Sequence, residues 1–312
     1  MKKIALVIFS VFLLSPLAAL YASPVIYAAG TEAGRATLWI DGVPQILANN
    51  DSAAISVFVY GDDVYVAGHR GQLNNSLATL WVNGIPQTLG DFQSIAYSVF
   101  VADGNVYAAG TEGGRAVLWV NGEAQFLYSG NSGALSVFVY GTDVFVAGSI
   151  GGFGSEGERA ALWTNGRQEI LSSSRSTARS VFVYENDVYV AGYLGALGTT
   201  SVAMLWKNGI DQGISSTFSY GLSVFADEGG VYVVGSTGRA TGLTNVLWTN
   251  GISANIAGDR FTTARSMFIH SGNIYIIGVS GRWPDDRAVL WVNGVQRNLS
   301  SRSSSASSVF VR

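Results

Sequence analysis

Five side chains are best suited to holding a ligand. Arg179 and Arg265 each stand directly before a Ser-x-Phe run, in Arg-Ser-Val-Phe and Arg-Ser-Met-Phe. Two guanidinium groups at equivalent positions can grip a carboxylate or sulfate through paired, charge-assisted hydrogen bonds. Arg282, Trp283 and Asp285 cluster in Gly281-Arg282-Trp283-Pro284-Asp285-Asp286-Arg287. An indole flanked by charges suits stacking on a sugar ring or anchoring a protein partner. Plainer roles compete with these. The arginines would serve equally as solvated rim charges, and the indole as packing over a neighbouring loop.

Other chemistry finds little support. Paired acids occur at Asp285/Asp286 and Glu156/Glu158. Such pairs act as acid and base only at a defined separation across a substrate, so no catalytic residue is assigned. Zinc-type spacing, a phosphate loop, an EF-hand loop and a Gly-x-Ser-x-Gly elbow are all missing from the sequence. No metal and no cofactor are expected. Beyond Lys2 and Lys3 the only lysine is Lys207, and the net charge is −3, which disfavours nucleic acid as a partner.

The elements that must position these residues come from a repeat. Leu-Trp-x followed by Asn-Gly or Asp-Gly recurs at Trp39, Trp81, Trp119, Trp163, Trp206, Trp248 and Trp291, in steps of 42, 38, 44, 43, 42 and 43 residues. Each period holds four runs rich in Val, Phe, Tyr and Trp, separated by Gly, Asn and Asp. One unit reads Ser56–Val59, Val64–Gly68, Ala78–Val82 and Ile85–Leu89. Asn-Gly between two such runs favours a type I′ hairpin, because both central residues need φ > 0. Four antiparallel strands per period of this length predict a seven-bladed β-propeller, an all-β fold. An open array with the same period is the alternative. The nearly continuous apolar runs VFV and VYVAG read as strands buried on both faces. The seven Trp and the seven Phe of the S-x-F runs are expected to form packed layers between blades.

The ends of the chain support closure. Residues 308–312 are a first strand with no blade behind it, and 24–30 a second strand with no first strand before it. Blade 1 is therefore expected from 24–47 plus 308–312, within one domain spanning 23–312. Residues 1–22 read as a signal peptide: Lys2 and Lys3, an apolar stretch from Ile4 to Leu20, then Leu20-Tyr21-Ala22. Retention of that segment as an anchor is the alternative. No later segment approaches a membrane span, and the chain has no cysteine. A secreted or periplasmic protein, acting as a monomer, is the expectation.

In a meander the second-to-third and blade-to-blade connectors share one end. The second-to-third connectors vary from five residues (TEAGR) to eleven, Ser149 to Arg159, and such variation on a fixed scaffold marks a binding surface. Twelve of the fifteen arginines fall in these two classes of connector. Phe92, Tyr97, Phe153, Tyr193, Phe218, Tyr220 and Phe261 add aromatic surface to the same end. Glu32/Arg35 and Glu112/Arg115 read as local ion pairs. Arg179 and Arg265, each just ahead of a first strand, fall near the mouth of the central channel. His69 and His270 fall at opposite ends of the blades.

Asp187–Gly192 and Leu205–Gly209 spell D-V-Y-V-A-G and L-W-K-N-G. In these units the chain resembles secreted bacterial β-propeller repeat proteins, a resemblance that implies fold and compartment but no activity. The hairpin layout is also Kelch-like. It keeps one glycine where Kelch repeats have a pair, and it puts Trp in the third strand. That departure argues against borrowing galactose-oxidase-type chemistry. The functional expectation is a non-enzymatic scaffold that binds a glycan or an extracellular protein through its variable end. A carbohydrate-active enzyme (a polysaccharide lyase or hydrolase) and a structural envelope protein are the alternatives.

Overall fold

The computed structural model describes residues 23–49, 51–196, 200–215, 218–238, 243–258 and 261–312. The expected signal segment lies outside them, as do Arg239 and Arg260. The described residues form seven four-stranded antiparallel sheets arranged as a ring of blades. Blade 2 has its strands at Ser52–Tyr60, Asp63–Arg70, Leu77–Val82 and Ile85–Phe92, in order from the axis outward. The ring closes as the ends of the chain predict. Ser304–Val311 pairs with Ile26–Glu32 and becomes the innermost strand of blade 1. Arg312 fastens the seam to blade 2 by donating to Gly61 O and pairing with Asp62.

Burial differs from strand to strand, and of the two runs expected to be covered on both faces only the second is, with five consecutive buried residues in Asp143–Ile150 and Asp187–Leu194. The third strand is covered likewise, with four consecutive buried residues in blades such as Leu77–Val82 and Arg159–Thr164. Each carries a tryptophan whose side chain is sealed between neighbouring blades. The innermost strand has one buried face and one half-buried face that turns to the axis. Its phenylalanine therefore does not share a layer with the tryptophans. Phe58, Phe100, Phe138, Phe182, Phe225, Phe268 and Phe310 instead touch in a closed circle about the axis, with successive centroids 4.5–5.6 Å apart in tilted or edge-on pairs.

Two repeated polar clips stitch blade to blade. The hydroxyl that opens an innermost strand accepts the third-strand N–H of the preceding blade, as from Ala78 to Ser94 and Ala116 to Ser132. Blade 7 keeps the link with other groups, Asn245 Oδ1 accepting the N–H of Ala264. Nearer the axis, serines such as Ser56, Ser98 and Ser136 accept the N–H of Val99, Val137 and Val181 in the next blade. The Asn-Gly turns have the expected positive φ at both residues, 51° and 82° at Asn83 and Gly84. The asparagine also clips its own blade: Asn83 Oδ1 accepts from Val64 N, and its amide donates to Asp63.

Candidate functional site: a bulge-lined axial cavity

Every innermost strand carries a β-bulge. In blade 2, Ala54 pairs with Gly68 and Ser56 with Ala67, leaving Ile55 without a partner. Its equivalents are Tyr97, Leu135, Arg179, Leu222, Arg265 and Ser307. The glycine opposite explains the single glycine of each repeat. A Cβ on Gly68 or Gly192 would sit 1.9 or 2.0 Å from the carbonyl oxygen of Ala53 or Thr177 across the bulge. A bulge re-aims the extra side chain, and here all seven line one cavity of about 600 Å³ on the axis. Arg179 and Arg265 thus lie within a strand (Ser176–Tyr184 and Thr263–His270) and not just ahead of one, because the first strands start three or more residues earlier than the apolar runs imply.

Phe153, Tyr193, Tyr220 and Thr263 complete the wall. Phe153 comes from the long second-to-third connector of blade 4, so the cavity opens at the variable end. Tyr193 and Tyr220 meet edge to face at 6.4 Å. Burial pushes the Tyr220 phenol above its ordinary range, against a hydrogen bond from Ser236, so it stays protonated at neutral pH. Two arginines, three tyrosines, Ser307 and Thr263 supply the polar groups, and no carboxylate or imidazole is among the described lining residues.

The two arginines differ from the rest of their kind. Glu32 holds Arg35 and Arg302 at 3.6 and 3.8 Å, and Glu156 holds Arg175 at 2.9 Å. Arg70 donates to Thr79 and Thr88, Arg159 to the carbonyls of Glu156 and Glu158, and Arg287 to that of Asp286. Arg115 lies 3.8 Å above the ring of Phe126 and Arg282 3.7 Å above Phe261. The expected Glu112/Arg115 pair is not formed. Blade 3 offers Phe126 on its outer strand where blade 1 has Ile46, and the guanidinium takes the ring face. Arg179 and Arg265 alone among the described connector arginines have no hydrogen bond, ion pair or ring contact to a described residue. Arg265 is half-buried, and burial holds its guanidinium below the usual arginine range. Asp286 pulls the other way, and the like charge of Arg179 adds to the depression.

Arg282, Trp283 and Asp285 occupy a tight turn between the second and third strands of blade 7, where Asp285 N donates to Arg282 O. Trp283 is 83% exposed. This trio is on the variable end but outside the axial cavity, so the five residues separate into an axial pair and a rim group. His69 and His270 lie at opposite ends of blades 2 and 7, as their places in the repeat imply.

No protein-family model and no curated protein sequence matches the chain. Solved propeller structures do resemble it. The β-propeller domain of the Trilobed protease from Pyrococcus furiosus, which has an open velcro topology, aligns at 11% identity over 89% of this chain and 95% of its own, with a TM-score of 0.52. A puromycin-hydrolyzing peptidase from Mycobacterium tuberculosis aligns at 11% identity with a TM-score of 0.56, and the acylaminoacyl peptidase of Pyrococcus horikoshii at 15% with 0.54. In both cases 89% of this chain is covered, and the chain spans about half of the peptidase (53% and 51%). At such identities the similarity is one of fold alone.

Proposed function

We propose that this propeller is an extracytoplasmic binding protein whose axial cavity takes an anionic small ligand or the acidic end of a glycan. The observation that carries the reading is the pair Arg179 and Arg265. They are the two described connector arginines without a partner, and they converge on one cavity. Arg179 and Arg265 bring like charge into one cavity, Asp286 acts on Arg265 without forming an ion pair with it, and a bound carboxylate or sulfate would accept hydrogen bonds from both guanidinium groups. Tyrosines around them offer ring faces and hydroxyl donors, the combination that suits a sugar acid.

Binding is favoured over turnover for two reasons. The described lining residues include no carboxylate pair of the kind glycoside hydrolysis needs. The tyrosine whose pKa is shifted is shifted upward, which suits a donor and not the base a lyase requires. The signal-like first residues support secretion, which belongs to the same proposal. A glycan array probed at low and moderate salt tests it. Saturable binding to uronate- or sulfate-bearing glycans that weakens with salt is expected, with no reducing ends or unsaturated products released. Preference for neutral glycans, or steady release of products, would overturn it.

A further inference from the structure

A second cavity of about 370 Å³ opens beside the axial one, between blades 3 and 4, and Tyr97 and Phe153 belong to the walls of both. Its other walls present Gln93, Thr111 and Asn131, three uncharged polar side chains. Those of Gln93 and Asn131 are exposed and make no hydrogen bond to a described residue. We infer that the two cavities form one groove for an acid-terminated oligosaccharide, with the acid at Arg179 and Arg265 and the neutral sugar units between blades 3 and 4. This rests on the proposed function of the axial cavity and extends it to a second subsite.

The dividing aromatic is built in, not incidental. Phe153 belongs to the eleven-residue connector of blade 4, the longest of its class. Its ring lies on the backbone of Gly133, where a Cβ would come within 2.3 Å of it. The equivalent positions in other blades hold Ala53, Ile95, Thr177, Tyr220, Thr263 and Ser305, so blade 4 alone leaves this space. The connector is tied at both ends. Gly151 N and Gly152 N donate to Asn131 O, and the buried Glu158 carboxylate accepts from Gly154 N and from the Thr177 hydroxyl of blade 5. Phe153 nonetheless remains 49% exposed. A held, exposed ring flanked by amides and hydroxyls matches a pyranose, which offers C–H groups on its faces and hydroxyls at its edge.

A peptide fits less well. Extended peptides bind by adding to a free sheet edge. Here the axis-facing N–H groups of Val99, Val137 and Val181 are already taken by serine hydroxyls of the preceding blade.

Calorimetric titration of the chain with glucuronic acid, a trisaccharide ending in glucuronate, the neutral trisaccharide and a tripeptide with a free C-terminal carboxylate tests this. The acidic trisaccharide is expected to bind roughly tenfold or more tighter than glucuronic acid. Asn131→Ala with Gln93→Ala should remove that gain and leave glucuronic acid binding unchanged, whereas Gly133→Ala, which displaces the Phe153 ring shared by both cavities, should weaken both acids. The surface pair keeps the test intact if Gly133→Ala fails to fold. Equal affinity for the two acids, or a gain that survives the Asn131 and Gln93 substitutions, overturns the second subsite while leaving the axial reading in place. Binding of neither acid overturns both. Tighter binding of the tripeptide overturns the assignment to a saccharide.

Discussion

Two rows of residues run around the axis, one at the phenylalanines and one at the bulges, three residues apart on the same strand. The first is uniform: seven phenylalanines each touch the next. The second is uniform only in backbone, since its side chains are Ile55, Tyr97, Leu135, Arg179, Leu222, Arg265 and Ser307. The contrast has a physical cause. A phenylalanine in the circle has two neighbours to satisfy, whereas a bulge residue is unpaired by construction and points into open volume. Packing therefore fixes the first row and leaves the second open to any chemistry. What marks the second row as a site is its two cations, in blades 5 and 7, beside an aromatic wall that Tyr97 of the row shares with Phe153, Tyr193 and Tyr220 of blades 4 to 6.

Substitutions separate the two rows, and the largest effect belongs to the frame. Trp119→Ala should lower stability by about 3–5 kcal/mol in denaturant melts, because it empties a fully buried seam between blades. Ligand binding should fall only to the extent that the protein unfolds. The next test uses the second-strand glycines opposite the bulges. Gly192→Ala and Gly68→Ala each force a Cβ onto a carbonyl and should each cost about 1–3 kcal/mol. Gly192→Ala should also weaken acid binding sharply, since it disturbs the bulge that aims Arg179. Gly68→Ala faces Ile55 and should weaken it far less. Equal losses of binding would show that bulge geometry acts on the ring as a whole and not sector by sector.

A smaller effect concerns pH. Burial lowers the pKa of His69 below the ordinary 6.5, with a bond to Gly71 O acting in the opposite direction. The folded state then resists a proton that the unfolded chain accepts, so stability falls as pH drops through about 6.5. His69→Gln should flatten that slope in melts at pH 5 and pH 7.5. The smallest effect on stability is expected at the proposed site itself. Arg179→Leu with Arg265→Leu removes two cations that have no partners and should change stability by no more than about 0.5 kcal/mol.

The frame was legible in the sequence because it repeats. The Trp-x-Asn-Gly spacing gives blade count and hairpins, and the incomplete strands at 24–30 and 308–312 give ring closure. Arg179 and Arg265 were traceable to the channel mouth because their register in the repeat is visible. The bulge is less plain, although its signal is present. Gly68 and its equivalents interrupt an apolar strand at a fixed place, which marks either a bulge or a close backbone approach. The alternation of the innermost strand was obscured for the same reason, since an extra residue breaks the period of two. Phe153 was legible only as one of several aromatics on the variable end. Its place in the cavity depends on a glycine twenty residues earlier, in a different strand. The fate of Arg115 was equally hidden, because only the fold brings Phe126 beneath it.

The most direct test of the axial cavity is a titration of glucuronic acid into the unmodified chain and into the Arg179→Leu/Arg265→Leu variant at low salt. Saturable binding to the former, and its loss in a variant that melts at the same temperature, is the predicted result. Undiminished binding to the variant would place the acid elsewhere and contradict the assignment of these two arginines.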